Sequence, residues 1–373
     1  MSAIAIKNAQ KDFNTTRVIH SLDLDIPDGS FFSLLGASGC GKTTTLRSIA
    51  GLEQFTSGEI YIGEREVSRL SPDQRDIAFV FQLYSLYPHL KVKDNIAFPL
   101  RAVNTPKEDI EHRVNEVTQL LGIEHLLNQR PSALSGGDMQ RVAIARALVR
   151  KPQALLMDEP IGALDAKLRE ELRGELKRLH QRRGTTIVYV THDQSEAMAL
   201  SDHIAIMHQG HLQQVGTPFD IYHYPINTYV ARFIGAPAMN TLLGSVGHIE
   251  PDLTFLIDQS SLQFTLPDNW KTFLQDKSGE RFQIGIRPEH VKVSDEGMPV
   301  TIDHIELCGS HKIAEFKMGE RTLKARLSAQ SQYEAGCLVK VSFSTEHLHL
   351  FEPDTVSSGH ITHYGSVCDE VAR

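Results

Sequence analysis

Residues Gly36-Ala37-Ser38-Gly39-Cys40-Gly41-Lys42-Thr43 follow the spacing GxxxxGK[ST]. They stand between a short apolar run, Ser30–Leu35, and a segment of helical character, Lys42–Ala50, that Gly51 stops. A buried strand that runs into a glycine loop and then a helix lets successive backbone N–H groups curl around a phosphate with no Cβ in the way. The helix N-terminus adds its partial positive charge at the same point. Lys42 can reach the β- and γ-phosphates of a nucleotide, and the Thr43 hydroxyl can bind Mg²⁺. The chain is therefore expected to hold an α/β core with a phosphate site at the strand ends.

The first 236 residues carry the rest of that core. Apolar, strand-like runs recur at Ala3–Ile6, Val18–Ile26, Ile77–Phe81, Ala154–Met157, Thr186–Val190 and Ile204–Met207, and a charged helix is expected from Ala166 to Arg182. Between about residues 88 and 150 the strands vanish. There Ile110, Val114, Val117, Leu120 and Leu121 recur at helical spacing, and Val142–Leu148 forms a second helical stretch. This predicts a mostly parallel sheet, spanning 1–236, with a helical subdomain inserted. From 237 to 373 the texture changes to period-two segments: Leu253–Ile257, Arg281–Ile286, Lys312–Phe316, Thr322–Leu327 and Cys337–Phe343. Turns such as Met318-Gly319-Glu320 separate several of them, the pattern of a small all-β barrel or sandwich. Gly235 and Pro237 mark the boundary, and the tail Ser357–Arg373 shows little periodicity.

Charge differs between the two parts. Residues 1–236 hold 26 basic and 27 acidic side chains, and residues 237–373 hold 12 and 19. The acidic second part lacks the positive patch that nucleic acid or anionic lipid requires, so no nucleic-acid partner is expected. No apolar run approaches the ~18 residues of a membrane helix. The start, Met1-Ser2-Ala3-Ile4-Ala5-Ile6-Lys7, is too short and too soon charged for a signal peptide. Cys40, Cys308, Cys337 and Cys368 stand far apart with no CxxC pair, so reduced thiols are expected. His347 and His349, expected on one strand face, lack a clustered third metal ligand.

Two more motifs carry chemistry. Ala154-Leu155-Leu156-Met157-Asp158-Glu159 is an apolar strand ending in two carboxylates. Asp158 is expected to face Mg²⁺; Glu159, one step on and turned the opposite way, is the candidate general base. Leu134-Ser135-Gly136-Gly137-Asp138-Met139-Gln140-Arg141 precedes the helix Val142–Arg150. Ser135 with two glycines at a helix start forms a second anion-binding nest, which cannot easily reach the first within one chain. A head-to-tail dimer would bring Ser135 and Gly137 of one subunit to the γ-phosphate held by the other.

Taken together these segments resemble the ABC-type ATPases, a class of P-loop NTPases, across the whole first part. The resemblance implies ATP as substrate with Mg²⁺, and it adds positions one by one. Gln82, after Ile77–Phe81, matches the loop glutamine that senses the γ-phosphate, helps hold Mg²⁺ and contacts the transport partner. His192, in Val190-Thr191-His192-Asp193, matches the switch histidine that hydrogen-bonds the γ-phosphate and steadies Glu159. Asp165, in Gly162-Ala163-Leu164-Asp165, matches the aspartate whose loop crosses the dimer interface. Phe13 matches the aromatic that stacks on adenine. The implied catalytic set is Lys42, Gln82, Glu159 and His192. ATP is expected on Phe13, residues 36–43, Thr44 and Gln82, and Mg²⁺ on Thr43, Gln82 and Asp158. Contacts in trans are expected from Ser135, Gly136, Gly137, Asp138 and Asp165.

Some positions depart from that family: Asp138 stands where it usually has Gln, Met139 where it has a basic residue, and Ile161-Gly162 where the loop more commonly opens with Leu-Ser. An aspartate in the first turn suits the helix dipole. It also brings a carboxylate near a neighbour's triphosphate, so Asp138 is expected to moderate ATP-driven closure.

A longer resemblance, over nearly the whole chain, is to the ATPase subunits of maltose-type sugar importers and the related glycerol-phosphate importers. It rests on Tyr84-Ser85-Leu86-Tyr87-Pro88-His89, Tyr222-His223-Tyr224-Pro225, the segment from Phe233 to Asn240, Gly285-Ile286-Arg287-Pro288-Glu289-His290 and His349-Leu350-Phe351. It implies an OB-like or MOP-like C-terminal domain that makes dimer contacts and can receive a regulatory protein. It further implies a homodimer at the cytoplasmic face of the cell membrane, two transmembrane permeases and an extracytoplasmic solute-binding protein. Carbohydrate is the implied cargo, with glycerol phosphate, polyamine, iron and oxyanion as alternatives. A soluble ABC ATPase of translation or DNA maintenance is the alternative from another class; one cassette and no sustained heptads disfavour it.

Overall fold

A computed structural model describes residues 2–353, apart from 163, 250, 251, 261, 275 and 320. Ala163, Glu320, Cys368 and the tail Ser357–Arg373 therefore lie outside the described residues. The chain opens with β1 (Ile4–Phe13) and β2 (Thr16–Ile26), an antiparallel pair with Ile4 opposite Ile26. Then come β3 (Phe31–Gly36), α1 (Lys42–Ala50), β4 (Ser57–Ile62), β5 (Arg65–Glu66) and β6 (Ile77–Val80). Three helices follow, α2 (Val92–Ala102), α3 (Lys107–Leu121) and α4 (Gly136–Leu148). The unit closes with β7 (Ala154–Asp158), α5 (Ala166–Arg183), β8 (Thr186–Thr191), α6 (Gln194–Leu200), β9 (His203–His208) and β10 (His211–Gly216).

The central sheet runs β10-β9-β3-β8-β7-β6, parallel throughout except for β10, which returns antiparallel to β9. β3, β7 and β8 are buried at every position. Strands covered on both faces carry apolar side chains on both, which is why they read as unbroken apolar runs. Leu155, Met157 and Ile187 pack toward the helical side with Leu172 and Leu176 of α5. Ala154, Leu156 and Val188 face the other core, with Leu46 and Ile49 of α1 and the β2-β1-β4-β5 sheet. The C-terminal ends of β3, β8, β7 and β6 are thereby neighbours, and their loops meet along one sheet edge. The inserted region is helical as expected. Its first helix, α2, escapes a periodicity reading because Pro99 lies inside it.

A second compact unit begins at Phe219. It contains most of α7 (Pro218–His223), α8 (Thr228–Phe233), and two five-stranded antiparallel sheets. The strands are β11 (Asn240–Ile249), β12 (Asp252–Ile257), β13 (Gln263–Thr265), β14 (Arg281–Ile286), β15 (Val291–Ser294), β16 (Met298–Leu307), β17 (His311–Met318), β18 (Arg321–Ser328), β19 (Leu338–Phe343) and β20 (His349–Phe351). One sheet runs β13-β12-β11-β14-β20 and the other β15-β19-β16-β17-β18. Phe255, Ile284, Phe316, Val341 and Trp270 share one core between them.

This division precedes the Gly235–Pro237 break read from the sequence, and Arg287 supplies the reason. Its guanidinium, 2% exposed, donates to the carbonyls of Tyr222 and Ile234, the latter at 2.8 Å, and so ties the α7–α8 segment to the residue after β14. The expected strand face shared by His347 and His349 is not formed. His347 ends a single 3-10 turn, Thr345–His347, and lies against His290 with ring centroids 3.7 Å apart, while His349 starts β20.

Candidate active site

The chain leaves β3 through Gly36, where a Cβ would stand 2.3 Å from the Met207 carbonyl oxygen and 2.7 Å from Cys40 Sγ. Only glycine fits that exit. Ala37, Ser38 and Gly39 form an exposed rim, while Cys40, Gly41 and Lys42 are buried. Lys42 Nζ donates to the carbonyls of Gly36 (2.8 Å) and Ala37 (2.9 Å), so the ammonium sits within the curl of the loop. Burial pushes the Cys40 thiol up from its ordinary pKa, against the pull of the Lys42 charge.

Thr43 and Thr44 lie in the first turn of α1, and Thr43 Oγ1 donates to Asp158 Oδ1 at 2.9 Å. Asp158 is 4% exposed; burial holds its carboxyl above the usual range, opposed by the Thr43 hydrogen bond and the Arg47 charge. At the other end of α1, Arg75 donates to the carbonyls of Ser48 (2.7 Å) and Ile49 (2.9 Å), capping the helix that carries the loop.

Glu159 follows β7 in the left-handed region, φ 44°. That conformation costs a non-glycine residue about 1–3 kcal/mol, and the Glu159 N–H bond to the Val190 carbonyl (3.0 Å) helps hold it. Glu159 Oε2 accepts from Gln82 Nε2 at 3.2 Å, and Oε1 lies 3.1 Å from His192 Nδ1. Side chains beyond the ends of β6 and β8 thus grip both oxygens of one carboxylate.

Beneath His192, Thr191 and Tyr189 donate to Glu196 Oε2 at 2.7 and 2.9 Å. Burial raises the Glu196 carboxyl, and the two hydroxyl bonds oppose it. Asp193 caps α6 and lies 3.5 Å from Arg169, whose other nitrogen donates to the Leu164 carbonyl. The Asp165 loop and the His192 loop are therefore linked through one guanidinium. Asp165 itself caps α5, accepting from the Leu168 N–H at 3.0 Å.

The second nest sits apart from the first. Ser135 is the N-cap of α4 and accepts the Asp138 N–H at 3.2 Å. A Cβ on Gly136 would stand 2.9 Å from Leu164 Cδ2, and one on Gly137 2.7 Å from Leu168 Cδ1, so these glycines also permit close packing on the Asp165 loop. Among the described residues no hydrogen bond or ion pair joins Ser135–Asp138 to the phosphate loop of the same chain. Phe13 lies at the β1–β2 turn, 41% exposed, with the Lys11 ammonium 4.5 Å over its ring.

Sequence reasoning missed Arg75, Arg146, Arg169 and Glu196. Arg146, on the apolar α4, donates to the carbonyls of Ser85 (2.7 Å) and Tyr84 (3.0 Å) and lies over the Tyr87 ring at 5.6 Å. It pins a turn in which Tyr84 and Ser85 both have positive φ, 58° and 49°. The same loop exposes Leu83 (75%), and a groove beside it is lined by Phe79, Phe81, Tyr87, Phe98 and Pro99. A charge within the apolar run Val142–Leu148 was the available signal.

Residues 19–162 match the ABC transporter family, 235–291 the MalK OB fold domain and 284–351 the TOBE domain. The trehalose/maltose import ATP-binding protein MalK of Thermococcus litoralis is 43% identical, over 95% of this chain and 99% of that protein. The sn-glycerol-3-phosphate import ATP-binding protein UgpC of Yersinia pseudotuberculosis is 43% identical, over 95% of this chain and 98% of that one. Among solved structures, the dimeric structure of a bacterial ABC transporter cassette is 34% identical and covers 58% of this chain and 98% of its own, with a TM-score of 0.53.

Proposed function

The chain belongs to the ATP-binding subunits of ABC importers, in the group with MalK-type OB and TOBE domains, and we propose that two copies of it close on ATP to drive carbohydrate import. Its reaction is hydrolysis of ATP to ADP and phosphate. The observation that carries the catalytic reading is the Glu159 carboxylate, held by Gln82 at 3.2 Å and His192 at 3.1 Å, one residue beyond an Asp158 bound to Thr43.

In this reading the amides of residues 37–43 and the Lys42 ammonium bind the β- and γ-phosphates. Glu159 takes the proton of the attacking water, a step worth about 10²–10⁴-fold. Gln82 and His192 keep its carboxylate oriented, and His192, whose side chain is 56% exposed, is placed to reach the γ-phosphate. Thr43 and Asp158 offer a hydroxyl and a carboxylate 2.9 Å apart, a hard-oxygen set that suits Mg²⁺, with Gln82 as a further ligand. Mg²⁺ bound there would neutralise charge on the β- and γ-oxygens.

Ser135, Gly136, Gly137, Asp138 and Asp165 would serve the nucleotide of a second copy. The groove beside the exposed Leu83 would receive a short helix of a membrane permease, so that Gln82 couples the site to transport. Among the described residues no helix is long and apolar enough to cross a membrane. As an import ATP-binding subunit, the chain would work peripherally on the cytoplasmic face, under two permeases fed by an extracytoplasmic binding protein. The second unit, residues 237–373 in the sequence division, would add dimer contacts and a surface for a regulatory protein.

The test is the complex reconstituted in vesicles with its permeases and binding protein. ATP turnover should rise when the binding protein carries a maltose-type oligosaccharide, and Glu159→Gln should abolish turnover while retaining ATP. Stimulation by glycerol phosphate and not by sugar would reassign the cargo. Undiminished turnover in Glu159→Gln would place the base elsewhere.

A further inference from the structure

The start of α4 holds a hydrogen bond that ATP binding in trans would have to break. Ser135 Oγ donates to Asp138 Oδ2 at 2.7 Å while accepting the Asp138 N–H at 3.2 Å. A serine hydroxyl has one proton, and here the carboxylate holds it. In an ordinary capping box the acidic residue at the third helical position reaches back to the backbone N–H of the cap. Asp138 takes the hydroxyl instead, so this contact restrains the serine's donor and adds nothing to the backbone accounting of the helix end.

The carboxylate is itself only partly compensated. Arg141 Nη1 donates to Asp138 Oδ1 at 3.2 Å, but the rest of that guanidinium is committed to Glu175, with Nε to Oε2 at 2.9 Å and Nη2 to Oε1 at 3.0 Å. One positive charge thus faces two carboxylates. A phosphate oxygen arriving at Ser135 needs the proton Asp138 holds and meets an anion one hydrogen bond away. A side chain at position 138 with neither charge nor acceptor would impose neither cost.

The geometry points to Asp138 as a positioning residue that latches the Ser135 hydroxyl and sets the threshold for closure of the dimer, with Arg141 setting the strength of the latch. This rests on the head-to-tail dimer proposed above. Closure then exchanges the Ser135–Asp138 bond for one from Ser135 to the phosphate, while Asp138 remains on Arg141.

The experiment uses the full chain with Glu159→Gln, so that ATP is retained, and measures the MgATP-dependent dimerisation constant by sedimentation. Adding Asp138→Ala, which removes both the charge and the acceptor, should tighten dimerisation at least tenfold, because each dimer contains two latches. Arg141→Met should loosen it several-fold when Asp138 is present and change it little in the Asp138→Ala background. A capping role alone would leave dimerisation unchanged and lower only the melting temperature. That result, with Ser135→Ala still weakening the dimer, would overturn the latch and leave the composite site standing. A Glu159→Gln chain that binds ATP and stays monomeric would overturn the dimer, and the latch with it.

Discussion

Arg146→Met isolates the contact that joins the helical region to the glutamine loop. The guanidinium makes two bonds to backbone carbonyls, 2.7 Å to Ser85 and 3.0 Å to Tyr84, and hydrogen bonds from charged donors contribute about 1.5–3 kcal/mol each. The strain of the two left-handed non-glycine residues is released on opening in parent and variant alike, so it cancels in the comparison. Methionine keeps the aliphatic stem and much of the volume. Taking the low end of the hydrogen-bond range, the local opening free energy falls by about 3 kcal/mol, a change of about 10²-fold in the opening constant. Native-state hydrogen exchange reads this at the Tyr84 amide, which is bonded to the Phe81 carbonyl at 3.2 Å. That amide should exchange about 10²-fold faster, with amides of β7 and β8 unchanged. Arg146→Lys, limited to a point charge, should fall between. Unaltered Tyr84 exchange in Arg146→Met would refute the claim that this side chain holds the loop.

Two further outcomes follow from packing and charge. Gly36→Ala puts a methyl 2.3 Å from the Met207 backbone oxygen and should cost about 1–3 kcal/mol in denaturant unfolding; a variant as stable as the parent would contradict the close contact. His349 is pushed down to about 4, first by burial and then by repulsion from Arg287, His223, His290 and His347. It stays neutral in the fold and gains a proton on unfolding, so its contribution is complete above about pH 6.5 and is lost as pH falls toward 4, up to about 3 kcal/mol. Thermal unfolding between pH 7 and 4.5 should show this decline, and His349→Gln should flatten it; an equally steep decline in the variant would assign the effect elsewhere.

What the sequence revealed divides along a physical line. The phosphate loop, the Asp158–Glu159 strand end and the parallel core were legible because each is a local pattern: a glycine spacing, or an apolar run covered on both faces. β10 was not read, because it is a partly exposed edge strand with Gln213 and Gln214 in its middle. The hydrogen bonds from Arg146 and from Arg287 were beyond reach for another reason. Their partners lie more than fifty residues away in sequence, and a buried guanidinium on distant carbonyls leaves no periodic trace. Glu196 is similar in kind: its hydroxyl partners are close in sequence, yet only the turn after β8 brings them onto it.

Photolabelling across subunits addresses the account at its root. A chain with Glu159→Gln is mixed with a tagged chain bearing Lys42→Ala, which cannot hold its own triphosphate, and both are exposed to Mg²⁺ and an ATP analogue with a photoreactive group on the γ-phosphate. The account predicts that the tagged chain is labelled within Ser135–Asp138 by nucleotide bound to its partner. Label confined to the chain that keeps Lys42, with none on the tagged one, would contradict it.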